Sequence, residues 1–86
     1  MIYRVHVFSE PRKALKNLDR TLSRRIVKRL EELAQDPFSL RFSRQMETDP
    51  DSRYSRVGDW RIIYQVEEGE HIINITAIRP RSGAYR

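Results

Sequence analysis

Eighty-six residues without a cysteine bound the chain to one small domain (residues 1–86), with no disulfide or thiolate metal site. No apolar run reaches the length of a membrane span or signal-peptide core, so a soluble, cytoplasmic protein is expected. The net charge is +5 and uneven, since eleven of the 17 Lys/Arg but only five of the 12 Asp/Glu lie in residues 1–46; such a chain suits a polyanion or an acidic protein partner, although a merely solvated basic helix has the same count.

Residues 2–8 (IYRVHVF) alternate, with Tyr3, Val5 and Val7 on one face and Arg4 and His6 on the other, which predicts a half-buried strand. Ser9 then offers a helix N-cap, with Glu10 and Pro11 in the first turn, and a short helix to about Leu18 buries Ala14, Leu15 and Leu18. Asp19 is a second N-cap. From Arg20 to Gln35, Leu22, Ile26, Leu30 and Leu33 recur at helical spacing, widened by Val27 and Ala34, while Arg24, Arg25, Lys28 and Arg29 cover the remainder. Asp36-Pro37 stops this helix, because the residue before proline is pushed out of the helical region. Residues 38–52 keep no sustained period and read as a loop returning the chain to a sheet.

Three strands follow. Gly58-Asp59 predicts a two-residue type II′ turn, which sets Val57 opposite Trp60, Arg56 opposite Arg61, Ser55 opposite Ile62 and Tyr54 opposite Ile63. A second turn at Glu68-Gly69 places Arg61 near Thr76, Ile63 near Asn74 and Val66 near His71. Alternation assigns Val57, Trp60, Ile62, Tyr64, Val66, Ile73, Ile75 and Ala77 to the face covered by helices, and Tyr54, Arg56, Arg61, Gln65, Asn74 and Thr76 to the other. The fold class is a small two-layer α+β domain: strand, helical hairpin, three-stranded antiparallel meander.

Arg56 opposite Arg61 raises a question, because like charges facing each other on a hairpin destabilise it by up to roughly 1 kcal/mol. Either each pairs with a carboxylate such as Glu47, Asp51 or Asp59, or the two form a fork for an anion, which guanidinium geometry fits. The C-terminal RPRSGAYR (79–86) adds Arg79, Arg81, Tyr85 and Arg86 beside the last strand. An aromatic among arginines can hold phosphate while stacking a base.

The leading YRV strand, the LDRTLSRRIVKRLEELAQDP helices, RVGDWRIIYQV and a closing arginine four residues before a tyrosine together resemble the RelE/ParE superfamily of toxins, over nearly the whole chain. VGDWRIIY is the most specific part. The resemblance implies a toxin of a toxin–antitoxin pair, held inactive by a cognate protein antitoxin. RelE-type members cleave mRNA in the ribosomal A site. By position, the resemblance makes Arg61, Arg81, Arg56 and Tyr85 the expected catalytic residues: Arg61 and Arg81 on the scissile phosphate, Tyr85 stacked on a base. Tyr54, Arg53, Arg79 and Arg86 are the expected RNA-binding residues. Tyr54 stands where the family usually has a basic residue, with Arg53 one place away, and Pro80 where many relatives have histidine.

Chemistry with arginine and tyrosine alone needs no metal or cofactor, and none is expected. Attack by the RNA's own 2′-OH requires in-line geometry, neutralised phosphate charge and some proton transfer. Arginine stays protonated and supplies charge and hydrogen bonds rather than a base. Such a site depends on its partner, the ribosome, to place the mRNA in a reactive geometry. The rival implied by the same superfamily is a ParE-like toxin that binds DNA gyrase and needs neither Arg81 nor Tyr85. A third reading is a degenerate member that only binds antitoxin or RNA. His6, His71 and the carboxylates of EEGE (67–70) read as surface residues, and no glycine-rich phosphate loop is present.

Overall fold

The computed structural model describes residues 2–80. The elements run β1 (Arg4–Val7), α1 (Ser9–Asn17), α2 (Arg20–Gln35), β2 (Arg44–Gln45), β3 (Arg53–Val57), β4 (Trp60–Glu67) and β5 (Ile72–Pro80). The strands make one sheet in the order β1-β5-β4-β3-β2. β1 lies parallel to β5, and every other neighbouring pair is antiparallel. α1 packs on β5, and α2 on β1 and β3. The two-layer α+β class expected from the sequence holds, enlarged by two features: the first strand docks parallel to the last, and the segment read wholly as a loop contributes β2 at the sheet edge.

Helix boundaries follow local chemistry. Asp19 caps α2, its carboxylate accepting from the Leu22 N–H at 2.8 Å, and Asp36 ends it in an extended conformation ahead of Pro37. Ser9 is not a cap. It is the first residue of α1, whose N-cap position is Phe8. Pro11 therefore falls where the helix has no partner for an N–H anyway. Ile26, Leu30, Leu33 and Ala34 of α2 are buried as expected, but Val27 is exposed and the stripe is narrower than the sequence suggests.

The β3–β4 register is the expected one, from Val57 opposite Trp60 to Tyr54 opposite Ile63. Gly58 has φ +60°, as the first position of a type II′ turn requires, and Asp59 stays at negative φ. Trp60 is half-buried against the core rather than enclosed in it. The β4–β5 register differs from expectation: Arg61 is opposite Arg79, not Thr76; Ile63 is opposite Ala77, not Asn74; and Val66 is opposite Ile73, not His71. The turn is longer than two residues, and it is His71 (φ 55°), not Gly69, that takes the left-handed conformation. His71 is held there by its ring, stacked on Tyr3 at 4.7 Å, and by its carbonyl, which accepts from the Arg4 N–H at 2.8 Å. A register shift between Ile63 and Tyr64 then inserts one residue into β5. Beyond it Ile78 joins Ile62 in the core.

Burying Ile26, Leu33, Ile62, Ile73 and Ile75 completely, at roughly 1.5–3 kcal/mol each, is the main stabilising contribution. Tyr64 is fully buried among them. Its hydroxyl donates to the Pro37 carbonyl at 2.7 Å and lies 2.5 Å from Ser43 Oγ, which also accepts from Arg53 Nε at 2.6 Å. This chain of hydrogen bonds fastens residues 37–43 to the sheet. Burial pushes the Tyr64 phenol above its ordinary value of 10.0, against smaller lowering effects of the Ser43 and Arg53 hydrogen bonds. The unfolded chain therefore ionises first. The stability this group contributes is complete below pH 10.0 and is lost as pH rises from there through the higher native value. Tyr64→Phe should cost about 1–3 kcal/mol at neutral pH by stranding buried polar partners, and should flatten the fall in stability above pH 10.0. Urea titrations of both proteins at neutral and alkaline pH check this.

Candidate functional site

The β3–β4 turn and the shifted β4–β5 ladder together align three arginines across the sheet: Arg56 opposite Arg61, and Arg61 opposite Arg79. Register partners share a face, and Arg61 alternates with the inward Ile62, so the row lies on the side away from the helices. The carboxylate partners that would make it an ordinary surface network are missing. Among the described residues the one salt bridge is Arg29–Glu32, at 2.9 Å. Glu47 lines the same cleft as Arg61 without pairing with it. Three like charges in register, unpaired, are a cost that a bound anion would remove.

Arg61 is also oriented. Its guanidinium sits over the Tyr54 ring, 4.7 Å from the centroid, the diagonal contact expected from the register. Its Nε is buried and has no hydrogen-bond partner among the described residues. A buried donor without an acceptor is costly, and the terminal nitrogens of the same guanidinium carry no hydrogen bond among the described residues, which leaves them for an incoming oxyanion. Tyr54 forms the ridge between two clefts. One, of about 470 Å³, is lined by Arg44, Gln45, Met46, Glu47, Thr48, Tyr54 and Arg61. The other, about 380 Å³, lies at the sheet edge, where Arg29, Arg41, Arg44 and Arg56 surround Phe42 and Tyr54.

Of the eight residues expected from the sequence, the structure brings Tyr54, Arg56, Arg61 and Arg79 into one row or cleft system. Arg53 is placed differently. It alternates with Tyr54 onto the helix side, bonds to Ser43 and stacks 5.4 Å from the Phe38 ring, so it supports the loop and takes no part in the candidate site. Arg81, Tyr85 and Arg86 lie outside the described residues. His6 and His71 line neither cleft; His6 meets Asn74 at 3.2 Å near the opposite edge of the sheet. Among the described residues no group of His, Cys, Asp or Glu is disposed to hold a metal ion. Arg29, Arg41 and Arg44 were not anticipated. The signal was RFSR (41–44), basic residues bracketing an aromatic in a segment without a period.

A family model described as "ParE toxin of type II toxin-antitoxin system, parDE" matches residues 9–85. The chain belongs to the RelE/ParE toxin superfamily. It is a toxin of a type II toxin–antitoxin system. No curated protein sequence matches it. Its fold is close to RelE in solved structures. The archaeal RelE–RelB complex of Pyrococcus horikoshii OT3 contains a chain 30% identical, with TM-score 0.81, over 94% of this chain and 97% of that one. The toxin–antitoxin complex RelBE2 of Mycobacterium tuberculosis matches at 19% identity and TM-score 0.81, over 94% and 100%. The isolated E. coli RelE toxin matches at 20% identity and TM-score 0.79, over 96% and 90%. The latter two, at such identities, speak to the fold alone.

Proposed function

We propose that this toxin is a ribosome-dependent endoribonuclease of the cytoplasm that cleaves translated mRNA and is restrained by a cognate antitoxin. The observation that carries the reading is Arg61: fixed on Tyr54 and, among the described residues, unpaired with any carboxylate and holding a buried Nε–H without an acceptor. A phosphodiester oxygen bound at the terminal nitrogens of that guanidinium neutralises the arginine row. Likeness to the Pyrococcus RelE, solved in complex with RelB, supports the antitoxin partner.

In this mechanism the 2′-OH attacks the adjacent phosphorus, a 2′-O–P bond forms, and the P–O5′ bond breaks. The 2′ proton is lost, the 5′ oxygen gains one, and a cyclic phosphate remains. Arg61 and Arg56 neutralise charge building on the phosphoryl oxygens. Arg81 and Tyr85 are the expected further contacts, on the phosphate and a base. Without a residue suited to act as a strong base, geometry imposed by the ribosome supplies much of the rate.

The second reading, a gyrase-binding toxin, is favoured by the ParE family model. Primer-extension mapping of cellular mRNA after brief induction separates them. Cuts inside translated codons are expected. Intact mRNA together with trapped DNA breaks would replace the nuclease reading with the gyrase one.

A further inference from the structure

Apart from Arg56, the residues of the sheet-edge cleft have no role in the chemistry above, yet four arginines surround it. Arg41, Arg44 and Arg56 line it, and none forms a salt bridge among the described residues. Two of its four arginines are structurally engaged. Arg29 donates to Ser55 Oγ at 2.8 Å and to the Arg56 carbonyl at 2.7 Å, and lies 4.6 Å from the Phe42 ring centroid. Arg44 donates to the Leu40 and Ser43 carbonyls. Arg41 has no hydrogen bond from its guanidinium among the described residues and rests 5.4 Å from the centroid of the same Phe42 ring. Phe42 is thus a half-buried floor that holds two guanidiniums up, and of these two it is Arg41 whose donors are unused, as those of Arg56 are, among the described residues.

This cleft adjoins the Arg61 cleft, because Tyr54 and Arg44 line both. A single strand lying with one phosphodiester at Arg61 must pass over Tyr54, and its neighbouring phosphodiester then enters the arginine-lined edge. We propose that this edge cleft is a second phosphodiester subsite for single-stranded RNA, with Arg41 as its principal ligand and Arg56 shared between the two. The proposal rests on the reading of the Arg61 face as a phosphodiester site. Aromatic faces beside the cations, Phe42 and Tyr54, suit a nucleic acid better than an acidic peptide.

The test uses the purified toxin and labelled 2′-O-methyl oligonucleotides, which lack the nucleophile and stay intact. A dinucleotide has one phosphodiester and fills only the Arg61 cleft; a hexanucleotide reaches both. Arg41→Ala should weaken the hexanucleotide severalfold, lower its log Kd against log salt slope by about 0.7, and leave the dinucleotide unchanged. Arg41→Lys should keep most of the slope. Equal weakening of both oligonucleotides, or of neither, would overturn the subsite. So would weakening of the antitoxin complex alone, which would assign the cleft to an acidic protein segment. Failure here is distinct from failure of the nuclease reading. If induction of the toxin leaves cellular mRNA uncut but Arg41→Ala still lowers the hexanucleotide slope, the nuclease assignment falls and the subsite stands.

Discussion

Arg61→Ala is expected to abolish growth arrest on induction while the protein stays folded. Removing one preorganised donor to a developing oxyanion typically costs 10²–10³ in rate, and Arg61 holds the central position of the arginine row. The stability change should stay within about 1 kcal/mol. Losing the stacking on Tyr54 costs on the order of 0.5–1 kcal/mol, and relief of repulsion from Arg56 and Arg79 offsets it by a similar amount. Arg61→Lys keeps the charge but loses the planar fork and the Nε donor, so it should recover little activity. Thermal unfolding and cleavage in a translating extract are the measurements. Full toxicity of the alanine variant would remove Arg61 from the chemistry.

Ile75→Ala should give the opposite signature. Ile75 lies opposite Val7 on one side and Tyr64 on the other, and is completely buried. Truncating such a side chain costs roughly 2–5 kcal/mol, a large share of the roughly 5–15 kcal/mol that holds a domain together. Toxicity should fall because the folded population falls, and a lowered denaturation midpoint would accompany it. Activity lost without any lowering of that midpoint would show that Ile75 acts by some other route. The pair of variants separates loss of a charge from loss of the scaffold.

Much of this was legible in the residues. α2 could be bounded because Asp19 and Asp36-Pro37 act locally, and the β3–β4 pairing because Gly58-Asp59 admits few turn geometries. The β4–β5 pairing was not. EEGEH contains a glycine that invites a tight turn, while the left-handed residue is His71, secured by Tyr3 and Arg4 more than sixty positions earlier. The inserted residue of β5 was equally hidden, and it moved Arg79 rather than Thr76 opposite Arg61. Arg53 and Tyr54 show a limit of carrying roles by position: adjacent strand residues face opposite ways, so a one-place offset exchanges the site for the core side. The edge cleft was hidden because Arg29, on a helix, and Arg41, in a loop, meet only through Phe42.

The bond from Arg29 to the Arg56 carbonyl has a meaning apart from any ligand. β2 covers only Arg53 and Tyr54, so beyond it β3 is an open border of the sheet. An acceptor there invites another chain to add a strand, the ordinary route to aggregation. Arg29 occupies that acceptor with a bulky cation on a helix, which a foreign strand would have to displace. That border is therefore less open to an added strand than a bare edge would be.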